Sequence, residues 1–266
     1  MRLLISADIE GTADIATWNE TSKSDPEYEY FRRQMTGEVK AACQGALDSG
    51  KADSILVRDA HGSACNIIPE ELPESVSIMR SWEGAPGGMM SGIRENIDAV
   101  AMTGYHSAAY TAGNPLAHTM NRQNQFVRIN GKNASEFMIN TYTAAYYGVP
   151  VIFVSGDELL CENAKELCPD IETVITNRAY GDACIGVHPL KAREMIHDGI
   201  KCALEKGLQD KVISLPEHFS VEVEFKEYGK AYRGSFFPGA QKVGAKGLSF
   251  ENNDFYEVLR FFFFTL

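Results

Sequence analysis

Positive charge is scarce in this 266-residue sequence: 25 lysine and arginine residues stand against 36 aspartate and glutamate residues, and the formal net charge is −11. An acidic surface repels phosphate backbones, and no basic stripe is long enough to neutralise a row of them. The composition therefore argues against nucleic-acid binding. Long apolar runs are missing as well, so the sequence predicts no membrane-spanning segment.

Cysteine pairs at metal-binding spacing are also absent. The six cysteines are scattered without a CxxC pair, and a chain of this size does not depend on disulfides for stability. The first apolar run meets Asp8 too early for a secretory signal. We therefore expect free thiols and a cytoplasmic protein.

Four common catalytic motifs do not occur in the sequence, namely HExxH, GxSxG, GxxxxGK[ST] and GxGxxG. The sequence thus lacks the signatures of zincins, serine hydrolases, P-loop proteins and Rossmann dinucleotide-binding proteins.

What the sequence does contain is an alternation of short apolar runs and amphipathic helical patterns. Strands are predicted at residues 3–9, 54–58, 97–103, 126–129, 150–155 and 173–176. Helices are predicted from Pro26 to Gly50, over residues 134–147, after Glu158 and over residues 189–205. This order predicts an α/β fold with a mainly parallel sheet flanked by helices.

The pattern changes in the last fifth of the chain. Residues 220–225 alternate strictly between apolar and polar side chains, which predicts a strand with one wet face in an antiparallel sheet. We therefore divide the chain into a metal-binding catalytic α/β domain, residues 1–212, and a small C-terminal α+β domain, residues 213–266. Four consecutive phenylalanines, Phe261 to Phe264, cannot all face one core. They predict burial against a partner subunit or, equally, a terminal helix packed on its own domain.

Acids and histidines follow three of the predicted strands. Asp8 and Glu10 follow the first, Asp59 and His61 the second, and His106 the third. Side chains at positions i and i+2 of an extended chain point the same way, and reactive groups of open α/β sheets gather beyond the carboxyl ends of the strands. Oxygen and imidazole donors in this arrangement suit zinc or another divalent first-row metal.

Two further residues have an open interpretation. Glu136 lies three residues after Asn133, so these two residues also fit a capping box at a helix start. His118 lies in a loop bounded by glycine and proline, where it is either a mobile acid/base group or an exposed loop histidine.

Five short motifs together resemble the D-aminopeptidase family typified by DppA. They are Ala7-Asp8-Ile9-Glu10-Gly11, Asp59-Ala60-His61, Gly104-Tyr105-His106, Ala117-His118-Thr119-Met120 and Ser135-Glu136. The resemblance runs over nearly the whole chain and includes the segment from Tyr146 to Asp157; only the C-terminal segment is less alike.

The resemblance implies a site that the spacing alone leaves open. It implies two Zn²⁺ ions per subunit, with Asp8 bridging them and with His118 as the catalytic histidine. The implied metal ligands are Asp8, Glu10, His61, His106 and Glu136. Asp59 would then orient His61 or its loop.

The implied activity is hydrolysis of short peptides with an N-terminal D-amino acid, such as D-Ala-D-Ala, by a metallo-aminopeptidase. The resemblance also implies a ring-shaped homodecamer. Two other functions fit the same donor set. The protein could be a dinuclear-metal phosphoesterase, or a non-catalytic oligomeric scaffold in which metal only holds the ends of the strands together.

Overall fold

Twelve strands and six α-helices make up the fold, which a computed structural model describes for residues 1–207 and 211–266. The strands are β1 (Arg2–Ala7), β2 (Ser54–Asp59), β3 (Val76–Met79), β4 (Ala99–Tyr105), β5 (Asn124–Ile129), β6 (Lys132–Asn133), β7 (Val151–Asp157), β8 (Glu172–Tyr180), β9 (Ala183–Gly186), β10 (Phe219–Phe225), β11 (Gln241–Val243) and β12 (Gly247–Asn252). The helices are α1 (Tyr28–Asp48), α2 (Glu136–Tyr146), α3 (Glu158–Leu167), α4 (Pro189–Glu205), α5 (Tyr228–Gly234) and α6 (Phe255–Thr265). None of these helices is long and apolar enough to cross a membrane.

A seven-stranded sheet has the order β3-β2-β1-β4-β7-β8-β9. Its neighbouring strands are parallel, except that β8 and β9 form an antiparallel edge pair. The predicted fold class, a mainly parallel sheet flanked by helices, is confirmed.

Helices cover both faces of this sheet. Leu3 and Ile5 of β1 pack into one apolar cluster with α1 and α4, whereas Leu4 packs into a second cluster with α2 and α3. Because successive side chains of a strand point to opposite faces, a strand covered on both sides must be apolar throughout. This requirement explains the near-continuous apolar runs in the sequence.

The start of α2 corrects one detail of the sequence analysis. Asn133, the predicted cap, lies at the end of β6. The residue that caps α2 is Ser135, whose side-chain oxygen accepts a hydrogen bond from the Met138 amide at 3.1 Å. Glu136 is therefore the first residue of the helix rather than the third, and its side chain is free for another role.

A second, antiparallel sheet has the order β11-β12-β10-β5-β6. In β10 the buried residues alternate with less buried ones, as the sequence pattern predicts. Strand β5, from the first half of the chain, pairs with β10 from the last quarter, and β6 pairs with the other edge of β5. The sheet thus draws strands from both sides of the division near residue 213, and that division stays a prediction.

Helices α2 and α6 cover the second sheet with one aromatic-rich core. Phe261 and Phe262 are buried in it, and the Phe261 ring stacks on Phe250 at 4.8 Å. Phe263 and Phe264 remain 45% and 65% exposed. Two of the four phenylalanines therefore pack on their own chain, and two face outward.

Candidate metal centre and active-site cleft

Adjacent strands of the parallel sheet bring the predicted site residues together. Strand β1 lies between β2 and β4, so the residues that follow these three strands meet at one edge. The Asp8 amide donates to the Thr103 carbonyl at 2.9 Å, and the Gly11 amide donates to the Gly104 carbonyl at 2.8 Å. These bonds hold the segment that carries Asp8 and Glu10 against the end of β4.

Two glycines permit this close approach. Gly104 has a φ of +68°, and a Cβ there would lie 2.2 Å from the Asp8 carbonyl oxygen. A Cβ at Gly11 would lie 1.7 Å from the carbonyl oxygen of Tyr105. A side chain at either position would push the acidic segment away from β4.

Each of three imidazoles donates one ring N–H to a backbone carbonyl. His61 Nε2 lies 2.9 Å from the Thr21 oxygen, and His106 Nδ1 lies 2.9 Å from the Ser107 oxygen. His118 Nδ1 likewise lies 2.9 Å from the Leu116 oxygen. Because a carbonyl only accepts, these nitrogens carry the hydrogens, and the opposite nitrogen of each ring is left for the site.

Those opposite nitrogens face carboxylates. His61 Nδ1 lies 3.2 Å from Asp8 Oδ1 and 3.1 Å from Glu10 Oε2. His106 Nε2 lies 3.5 Å from Asp8 Oδ2. The two oxygens of Asp8 thus face two different imidazoles, and Asp8 lies at the centre of the cluster.

Glu136 reaches the same cluster from the first turn of α2. Its Oε1 accepts a hydrogen bond from the Met120 amide at 2.6 Å. The same oxygen is 3.8 Å from Nε2 of both His106 and His118. Glu136 therefore begins helix α2 and also belongs to the cluster, so the two interpretations of this residue do not exclude each other.

Several buried atoms of the cluster have no hydrogen-bond partner among the described residues. They are Asp8 Oδ2, Glu10 Oε2 and His106 Nε2. Acceptors that face acceptors are stable only around a cation or a proton. Ligand atoms of Asp8, Glu10 and His106 lie within 4.8 Å of one another, as do those of His106, His118 and Glu136. The donor set therefore fits divalent metal, in two adjoining groups.

The electrostatics of the cluster favour positive charge. Burial and the neighbouring Glu10 raise the pKa of Asp8 to about 7. Burial alone would lower the pKa of His106, but Glu136 and Asp8 outweigh it and raise that pKa to about 9. Burial likewise opposes the charged form of His61, yet Glu10 and Asp8 raise its pKa well above the usual value. Several strongly shifted pKa values in one cleft are typical of functional sites.

His118 differs from the other two histidines. Burial and the nearby His106 lower the pKa of His118, which favours its neutral form. Its ring stacks on His106 at 4.3 Å with 11° between the planes and meets Trp18 edge-on at 5.3 Å. The structure thus places His118 beside the cluster, with Nδ1 at the Leu116 carbonyl and Nε2 3.8 Å from Glu136 Oε1.

Asp59 contacts the loop after His61 rather than the imidazole. Its carboxylate accepts hydrogen bonds from the Asn66 amide, the Asn66 side chain and the Ile67 amide. The Asn66 side chain also donates to the His61 carbonyl at 2.7 Å. Of the two roles that sequence analysis left open for Asp59, the contacts favour ordering of the loop.

Sequence reasoning gave no role to several residues that shape the site. Asp157 accepts hydrogen bonds from the Ser107 amide and hydroxyl and fixes the residue after His106. Trp18, Trp82 and Arg122 line a cavity of about 450 Å³ in front of the cluster. These residues are isolated in the sequence, so no spacing could have identified them.

Comparisons with known proteins identify relatives of this chain. The family model described as D-aminopeptidase matches residues 1–264. A D-aminopeptidase of Bacillus subtilis (strain 168) is 28% identical over 259 residues, which cover 97% of this chain and 93% of that protein. A solved structure, the Zn-dependent D-aminopeptidase DppA from Bacillus subtilis, described as a self-compartmentalizing protease, superposes with a TM-score of 0.90. That structure is 27% identical, and the match covers 98% of this chain and 95% of that one.

Proposed function

Because the chain belongs to the D-aminopeptidase family, we propose that it is a zinc-dependent aminopeptidase that hydrolyses short peptides with an N-terminal D-residue, such as D-Ala-D-Ala. One observation supports this most strongly. The unpartnered atoms of Asp8, Glu10 and His106 are buried and converge at the ends of adjacent parallel strands. Carboxylate oxygens and imidazole nitrogens of this kind are common ligands of zinc.

Five residues would hold two zinc ions. Asp8 would lie between them, because its two oxygens face opposite imidazoles. The full proposed set is Asp8, Glu10, His61, His106 and Glu136. When bound, zinc supplies a Lewis acid that polarises a scissile carbonyl and lowers the pKa of water.

His118 is the proposed catalytic residue. Its Nδ1 hydrogen is donated to the Leu116 carbonyl, and its lowered pKa favours the neutral ring, whose Nε2 carries no hydrogen. Nε2 can then accept a proton from the water that attacks the scissile carbonyl and donate it to the leaving amine. The ring stack on His106 holds the imidazole in place for both transfers.

The proposed assembly is a homodecamer in the cytoplasm. Phe263 and Phe264 leave an apolar surface at the end of α6, and the DppA relative is described as self-compartmentalizing. The six cysteines form no disulfide, which suits a reducing compartment. Light scattering at micromolar concentration tests the assembly, and a monomer would refute it.

The activity is tested with matched D- and L-aminoacyl nitroanilides before and after chelation, with metal counted on the same sample. We expect turnover of the D-substrates, its loss on chelation and about two zinc ions per chain. An aryl phosphate in the same panel tests the phosphoesterase alternative. Chelator-insensitive hydrolysis, or turnover of the phosphate alone, would contradict the proposal.

A further inference from the structure

A second cavity of about 320 Å³ adjoins the cavity in front of the metal cluster. Trp18, His118 and Arg122 line both cavities. Arg122 therefore borders the cavity in which a substrate would meet the cluster.

The second cavity carries positive charge. The described residues that line it include no carboxylate, and two of them, Arg122 and Lys226, are cations. The first cavity combines the three carboxylates of the cluster, whose charge two zinc ions would neutralise, with the cation Lys23. A peptide without blocking groups ends in a carboxylate, which the cations of the second cavity would attract.

Arg122 is available to bind an anion. Its guanidinium carbon lies over Trp18, 4.1 Å from the ring centroid. The ion pairs of the described residues involve other arginines and lysines. Stacking on an indole leaves the edge of the guanidinium, with its parallel N–H donors, open to a carboxylate.

The shared contact with Trp18 limits the separation of Arg122 from the proposed catalytic histidine. The Arg122 guanidinium carbon lies 4.1 Å and the His118 ring centroid 5.3 Å from the centroid of the same indole, so they are separated by at most the sum of these distances. In a dipeptide the carboxylate carbon is about 4 Å from the scissile carbon, and a bidentate pair places the guanidinium carbon about 4 Å further on. A dipeptide whose scissile carbon lies near His118 can therefore reach Arg122.

We propose that Arg122 is the specificity-determining residue that binds the C-terminal carboxylate of a dipeptide substrate. This inference rests on the proposed aminopeptidase function. Lys226 lines the same cavity and adds to the positive potential. The site would then select short peptides with a free carboxylate, whereas the catalytic groups would act on any amide that reaches them.

The test compares D-Ala-D-Ala with its C-terminal amide in four metal-loaded proteins: the wild type, R122Q, R122K and R128Q. Arg128 is the matched control, because its guanidinium also lies 4.1 Å over an aromatic ring, that of Phe126, but outside both cavities. Metal content and thermal unfolding are measured on each protein, so that a folding defect is recognised.

We expect the wild type to prefer the free carboxylate by at least about tenfold in kcat/KM. R122Q should lose about tenfold to a hundredfold on D-Ala-D-Ala, through KM, and less than about threefold on the amide. R122K should fall between the two, because lysine keeps the charge but not the bidentate fork. R128Q should match the wild type.

Equal losses of R122Q on both peptides, or a wild type indifferent to the carboxylate, would overturn the inference. Calorimetric titration with the same two peptides separates this failure from that of the proposed function. If neither peptide is hydrolysed, the aminopeptidase proposal fails. Loss of the carboxylate preference in the binding constants of R122Q would then still support the role of Arg122, and its persistence would overturn it.

Discussion

The metal cluster and the core of the second sheet are both buried, but the first is made of charged groups and the second of apolar side chains. The cluster buries acids and imidazoles whose charges are stable only when neutralised. The second core buries aromatic and aliphatic side chains, whose removal from water is itself favourable. Helix α2 joins the two, because Glu136 enters the cluster while Ile139 and Tyr142 enter the core. The apolar region thus anchors one carboxylate of the polar region.

Substitution of Asp8 should separate the two regions most strongly. Asp8→Asn replaces one oxygen by a donor and removes the charge between the two imidazoles. We expect loss of bound zinc and a fall in kcat/KM of at least about 10⁴-fold. The metal-free variant should unfold at no lower temperature than the metal-free wild type, because the raised pKa of Asp8 reflects burial and repulsion from Glu10.

Asp182→Asn, at an exposed turn, is the control for this variant. Full metal occupancy in Asp8→Asn, measured by atomic emission, would remove Asp8 from the ligand set.

His118→Gln should lower kcat by about 10³-fold, since a positioned general acid/base contributes 10²- to 10⁴-fold. Metal content should stay unchanged. His197→Gln, at a partly buried helix histidine between Asp48 and Asp198 and outside the cluster, is the matched control and should retain activity. If His118→Gln loses metal instead, His118 is a ligand rather than the proton-transfer group.

Phe261→Ala tests the apolar side of the comparison. The Phe261 side chain is fully buried and stacks on Phe250, so its loss should lower the free energy of unfolding by about 3–5 kcal/mol. Phe264→Ala, at a 65% exposed position on the same helix, should change the subunit's stability by less than about 0.5 kcal/mol. Urea unfolding measures both, and equal effects would contradict the packing of α6.

Asp59→Asn should have the smallest effect of the four. The Asp59 carboxylate accepts hydrogen bonds from Asn66 and Ile67 and so orders the loop after His61, which is one of the proposed zinc ligands. We expect zinc affinity to fall about tenfold to a hundredfold, the usual result when an outer partner of a ligand is lost. Turnover at saturating zinc should recover. A competition titration with a chelator measures this affinity, and an unchanged value would discard the role of Asp59.

The two regions also differ in how far the sequence predicted them. The donors after β1, β2 and β4 were predicted because an i, i+2 spacing and the rule of strand ends are local properties. The pairing of β5 with β10 was not predicted, because about a hundred residues separate these strands. The alternation of apolar and polar side chains in a strand does not identify the strand that pairs with it. Asn133 was the wrong cap because a polar residue two positions before Ser135 fits the same pattern.

Periodicity and side-chain chemistry along the chain specify the alternation of strands and helices, the donor types and, through the resemblance, the family. Three other features become visible only in the folded chain. The two oxygens of Asp8 face different imidazoles, Arg122 lies on Trp18 beside His118, and α2 contributes residues to both regions. The reason is geometric: contacts between residues that are distant along the chain depend on which strands lie side by side, and hydrogen bonds to backbone carbonyls then orient each imidazole.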